Sequence, residues 1–227
     1  MKYIYHHLGL GDHIICNGIV RHYRELYDTV TIFCKPHYFT NVEYMYRDDN
    51  NIIILPIGED SDVINYINKN NLHSNLITVG FDKPGFHNAK TFDEGFYNTV
   101  DLPFEYRFSK FKFERNIEKE SEVYNELNPN DEPYIYVHDD RERGFEIDRN
   151  KINPELKIIE NDKRFLMFDM LKIIENATEV HSMQTGMKDL INSFNFNKPK
   201  FYLHWYVRPY NDNYDSIGLN KFTKILK

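Results

Sequence analysis

The chain has 227 residues, 41% of them hydrophobic, with 17 Tyr and 17 Phe, enough apolar material for a packed core and too much for a disordered chain. A net charge of −7 argues against a general nucleic-acid binder, which needs basic surface to neutralise phosphates. No secretory leader and no apolar run of membrane-spanning length stands out, so a cytoplasmic protein with no transmembrane segment is expected. Cys16 and Cys34 fall in no metal-ligand spacing and read as buried thiols.

The first half alternates strand and helix signals. Lys2–Tyr5 reads as a strand, and the amphipathic stretch Ile14–Tyr27 as a helix. Residues 29–34 form the next short β-branched strand. A weaker helix follows over His37–Tyr46, then a buried strand over Ile52–Leu55. Asp60 or Ser61 is placed to cap a short helix, and Leu76–Val79 gives a fourth strand. Strands separated by helices imply a mainly parallel sheet. Between Gly80 and Arg115 the pattern breaks into scattered aromatics, Gly and Pro. Those rings either pack as an irregular cover over the sheet or, with Arg107, line an acceptor cleft. Ile117–Leu127 has helical spacing. The breaker cluster Asn128–Pro133 marks a boundary between an N-terminal half, 1–128, and a C-terminal half, 129–227.

Alternation then resumes. Strands are expected at Tyr134–Val137, Leu156–Ile159, Glu179–Met183 and Phe201–Val207. Helices are expected through Phe165–Ile174, through Leu190–Phe194, and at the terminus over Ile217–Leu226.

Polar clusters fall at three strand ends, where ligands of α/β proteins bind. The first is Gly9-Leu10-Gly11-Asp12-His13. Its glycines suit close backbone approach to a ligand, the helix start suits an anion, and Asp12 is either a base or a helix cap. The dinucleotide fingerprint fails, because the third glycine would be needed where Ile14 stands. His6, His7 and His13 lack a carboxylate or thiol spacing that would complete a metal set, so no metal is assigned. The second cluster, His138–Arg143, is either a solvated charged loop or a phosphate site in which His138, Arg141 and Arg143 neutralise a diphosphate. In the third, Thr185 and Gly186 precede a helix, as an ordinary cap or as an anion site. His204 and Arg208 at the last strand are weaker candidates.

Leu10-Gly11-Asp12-His13-Ile14-Ile15 and Ser182-Met183-Gln184-Thr185-Gly186-Met187-Lys188-Asp189-Leu190, in this order, resemble motifs of the two-domain GT-B glycosyltransferases, in particular the heptosyltransferase-like group. The resemblance implies two Rossmann-like α/β/α domains facing a cleft. It implies transfer of a sugar from a nucleotide-sugar donor, a co-substrate with no further cofactor, to a hydroxyl of a glycan or glycoconjugate, with inversion and no metal. Asp12 matches the group's proposed base. Thr185 and Gly186, with Met187 beside them, match its donor-diphosphate motif, and Gln184 stands where that motif has an acidic residue. Gly9, Gly11, His13 and Arg107 fall on the acceptor side. That departure at Gln184 leaves a non-catalytic nucleotide-sugar or glycan-binding protein as an alternative, and a GT-B-like nucleotide-sugar epimerase is another.

Overall fold

The computed structural model describes residues 1–80, 83–207 and 221–225. The described chain divides into two compact units, one ending at Glu114 and the other beginning at Arg115.

In the first unit the apolar runs become strands β1 (Lys2–His6), β2 (Val30–Cys34), β3 (Ile52–Pro56) and β4 (Leu76–Val79). They form a four-stranded parallel sheet in the order β3-β2-β1-β4. The helices between them are α1 (Leu10–Ile15), α2 (Asn17–Leu26), α3 (Phe39–Tyr46) and α4 (Asp60–Lys69). The single helix expected over Ile14–Tyr27 thus starts four residues earlier and is interrupted at Cys16. Glu59, rather than Asp60 or Ser61, holds the N-cap position of α4, and its N–H donates to the Asp62 carboxylate at 3.0 Å. Ile4, Ile32, Ile14, Ile19 and Val20 are fully buried, each such side chain contributing about 1.5–3 kcal/mol.

Helices α5 (Phe92–Asn98) and α6 (Tyr106–Ser109) lie in the aromatic stretch. Phe86 meets Phe92 and Phe96 edge to face at 5.7 and 5.4 Å, and Phe96 and Tyr97 are fully buried. These rings pack as core, the first of the two roles the sequence left open for them.

The second unit opens with α7 (Ile117–Leu127), at the bounds its spacing predicts. The boundary expected at residue 128 is corrected by this helix. Its Ser121 hydroxyl accepts from Lys172 Nζ at 3.1 Å, its Tyr124 ring packs 6.3 Å from that of Tyr134, and its buried Glu120 pairs with Arg115. The Asn128–Pro133 breaker is therefore a turn within the second unit, where Asn128 Nδ2 donates to the Glu132 carbonyl at 3.0 Å.

Strands β5 (Tyr134–Val137), β6 (Lys157–Glu160), β7 (Glu179–Ser182), β8 (Lys200–His204) and β9 (Phe222–Ile225) make a parallel sheet in the order β6-β5-β7-β8-β9. Helices α8 (Leu171–Asn176) and α9 (Gly186–Ser193) complete the unit. The terminal helix expected over Ile217–Leu226 is replaced, in its described part, by β9. Phe222 is buried against Phe201 at 5.6 Å, and pairing beside β8 outweighs the helical periodicity. Arg208 and the remainder of that segment lie outside the described residues. Among the described residues no helix is long and apolar enough to cross a membrane.

Candidate functional site

In each sheet the strand order reverses once, and ligands of doubly wound sheets bind outside the carboxyl ends of the strands at that point. In the first sheet the reversal lies between β1 and β4, whose ends His6 and Val79 are in register. In the second it lies between β5 and β7. Polar clusters from the sequence follow β1, β5 and β7, so they occupy both reversals.

After β1 the chain turns into α1, with Gly9 at the N-cap and Gly11 inside the first turn. Asp12 is the third residue of the helix and half-buried, so it is not the backbone-capping residue. Its carboxylate folds back over Gly9: a Cβ at position 9 would lie 2.7 Å from Asp12 Oδ2. Gly9 has φ −75° and ψ 143°, open to any residue, so the glycine makes room for the carboxylate and not for an unusual turn.

Across the reversal, Gly80 follows β4 with φ +129°, and a Cβ there would meet the His7 ring at 2.7 Å. Gly80 and His7 therefore pack against each other at this strand end. The sequence signal for Gly80 was its place directly after a strand, obscured by the irregular stretch it opens.

His13 and Arg107 differ from their expected exposure. His13 is fully buried and meets the His6 ring edge-on at 4.5 Å. Burial holds His13 well below the usual imidazole pKa and His6 at about 4, so both are neutral near pH 7. Neither is a surface group for a ligand. Arg107 on α6 is also fully buried, its guanidinium 5.3 Å from the Phe108 ring centroid, so it is part of the core rather than a cleft wall. Among the described residues no group of three His, Cys, Asp or Glu side chains is placed to hold a metal ion.

In the second unit, His138 follows β5 and its N–H donates to the His181 carbonyl at 2.9 Å. Burial pushes its imidazole down to about 4, so it contributes no positive charge at neutral pH. The expectation that it helps neutralise a diphosphate is corrected accordingly. The arginines are exposed and already matched by acids. Arg141 lies 2.8 Å from Glu160 and 3.4 Å from both Asp139 and Glu146, and Arg143 pairs with Asp140. The organiser of this loop is Asp139, which the sequence reading left unassigned. It is 3% exposed, accepts from the Ile147 N–H at 2.9 Å and binds Arg149 at 2.5 Å. A buried carboxylate holding one backbone N–H and two guanidinium groups is a loop-fixing device.

After β7, Gln184 donates through Nε2 to the Trp205 carbonyl at 3.4 Å, and Met187 is buried in the core. Thr185 takes the N-cap position of α9, but its hydroxyl does not cap the helix. The Thr185 Oγ1 and Ser182 Oγ atoms are buried and make no hydrogen bond among the described residues. A helix start leaves its first N–H groups without intrahelical partners. Two buried hydroxyls and these N–H groups thus collect at the reversal of the second sheet, an arrangement suited to phosphate oxygens.

No protein-family model matches the chain, and no curated protein matches its sequence. Two solved structures share its fold across 99% of its length. One is described as the crystal structure of the glycosyl transferase family 9 from Veillonella parvula DSM 2008, with a TM-score of 0.60, 9% identity and 86% of that chain covered. The other, from E. coli, is ADP-heptose LPS heptosyltransferase II, with a TM-score of 0.58, 10% identity and 90% of that chain covered. The chain has the mixed α/β fold with parallel sheets that these two glycosyltransferases have.

Proposed function

We propose that the protein is a glycosyltransferase of the two-domain GT-B type, moving a sugar from a nucleotide-sugar donor to a hydroxyl acceptor with inversion. One observation carries this reading: polar clusters stand at the order reversal of both parallel sheets. The shared fold with two glycosyltransferases supports it.

In this scheme Asp12 accepts the proton of the acceptor hydroxyl as that oxygen attacks the anomeric carbon. The bond between that carbon and the diphosphate breaks, and the nucleoside diphosphate leaves. Thr185, Ser182 and the N–H groups opening α9 stabilise its developing charge. Arg141 and Arg143, already paired with acids, serve the loop around Asp139 first.

A thermal-shift screen against nucleotides and nucleotide sugars tests the reading. A true donor stabilises the folded chain by about 2.7 kcal/mol at a hundredfold excess over Kd. A flat response across UDP, GDP, ADP, CMP and dTDP conjugates contradicts it.

A further inference from the structure

A chain of side-chain hydrogen bonds crosses the second sheet between β7 and β8. His181 Nε2 lies 3.2 Å from Glu179 Oε2, and His181 Nδ1 lies 2.8 Å from His204 Nε2. His204 Nδ1 lies 3.2 Å from the Tyr206 hydroxyl oxygen, which accepts the Asp148 N–H at 3.0 Å. The two rings are 2% and 0% exposed. Parallel register sets His181 against Tyr202, so His204, two residues on, shares its sheet face.

Donor and acceptor rules fix every proton in this chain. A carboxylate only accepts, so Glu179 requires the proton on His181 Nε2. A neutral imidazole has one N–H, so His181 Nδ1 accepts and His204 Nε2 donates. His204 Nδ1 then accepts the Tyr206 hydroxyl proton. Every contact has one donor and one acceptor with both rings neutral, and burial lowers both imidazole pKa values, that of His204 to about 3. The charged groups facing the chain are Glu179, Arg149, Asp139, Lys151 and Asp148.

We propose that Glu179, His181, His204 and Tyr206 form a proton relay that sets the Tyr206 hydroxyl as a hydrogen-bond acceptor toward a ligand hydroxyl and turns it into a donor when one proton enters. At rest Tyr206 gives its proton inward to His204 and one lone pair to Asp148 N–H, which leaves its second lone pair without a donor among the described residues. Tyr206 lies two residues past the carboxyl end of β8, the ligand edge of such sheets. The ligand, a hydroxyl of the donor, rests on the reading of this edge as the donor side.

The proton balance is closed. A proton bonds to the Tyr206 oxygen while the original hydroxyl proton passes to His204 Nδ1 and the His204 Nε2 proton passes to His181 Nδ1. The net gain is one proton, held as an imidazolium at His181 beside the Glu179 carboxylate. Tyr206 now accepts from both His204 and Asp148 and points its own hydrogen outward. A second proton would set two N–H groups against each other across the 2.8 Å contact, so the pair takes one.

Nitrogen NMR of the histidines in the full chain tests the relay. At pH 7 both rings are expected as Nε2–H tautomers, and on acidification His181 charges before His204. An Nδ1–H tautomer at His204, or first charging of His204, overturns it. Tyr206→Phe is expected to keep the His181 tautomer and to weaken, by about three- to tenfold, whichever nucleotide sugar the parent chain binds. Unchanged affinity overturns the ligand role of Tyr206. Absence of binding by every nucleotide sugar overturns the transferase reading and that ligand role together, while the tautomers decide the relay on their own.

Discussion

The carboxylate of Asp12 fills the space that a side chain at Gly9 would need, with only 2.7 Å between Oδ2 and the Cβ position. This contact makes position 9 a handle on the proposed base. The backbone at Gly9 accepts alanine, so Gly9→Ala is expected to fold with a melting temperature close to that of the parent. Its Asp12 carboxylate must rotate away, and misplacing a reacting group by about 1 Å costs on the order of 10²-fold in rate. A transfer assay beside a thermal melt checks this, and a variant with full turnover contradicts the placement.

The unsatisfied hydroxyl of Thr185 separates folding from function. A buried polar group without a partner costs about 1–3 kcal/mol, so Thr185→Val should leave stability unchanged or raise it. The same change should weaken nucleotide-sugar binding by about three- to tenfold. Denaturant unfolding and calorimetric titration measure the two effects. A destabilised variant with unaltered binding would show that the hydroxyl serves the fold.

The loop after β5 is expected to depend on Asp139 far more than on the arginines around it. Asp139 is buried and holds the Ile147 N–H and Arg149, whereas Arg141 is 53% exposed. Asp139→Ala should cost about 2–3 kcal/mol, and Arg141→Ala about 0.5 kcal/mol or less. Urea midpoints of both variants give the comparison, and equal losses contradict the assignment.

Stability should fall on mild acidification. His6 and His138 are held at about 4 by burial, below the ordinary 6.5. Above pH 6.5 neither ring is charged in either state, and the full stability is present. As pH falls from 6.5 to about 4, the unfolded chain takes up protons that the folded chain refuses. Each histidine then costs about 1.4 kcal/mol per pH unit, and the loss levels off once the folded rings also charge. Urea midpoints at pH 7 and pH 5 measure this, and His138→Asn should flatten the slope of the second unit. Equal midpoints at the two pH values contradict buried neutral histidines.

The strands were legible because their apolar runs are short, β-branched and bounded by breakers. The Gly9–Asp12 turn and the Thr185–Gly186 helix start were legible because each directly follows such a strand. Exposure was harder to read. His13 and Arg107 are polar in sequence yet buried, since their partners are rings brought together by the fold. Asp139 stood inside a charged run that gave no sign of which acid is buried. The domain boundary was misplaced because a Pro-rich breaker marks a turn as readily as a linker. The His181–His204 pair joins residues on neighbouring strands, and nothing local in the sequence connects them.

The central claim, that Asp12 is the base in sugar transfer, is tested most directly by Asp12→Asn assayed for turnover and for donor binding in one preparation. The substitution keeps the side chain's shape and removes its basicity. Retained nucleotide-sugar affinity with transfer reduced by about 10²–10⁴-fold is the predicted result. Full turnover by a folded Asp12→Asn variant would contradict it.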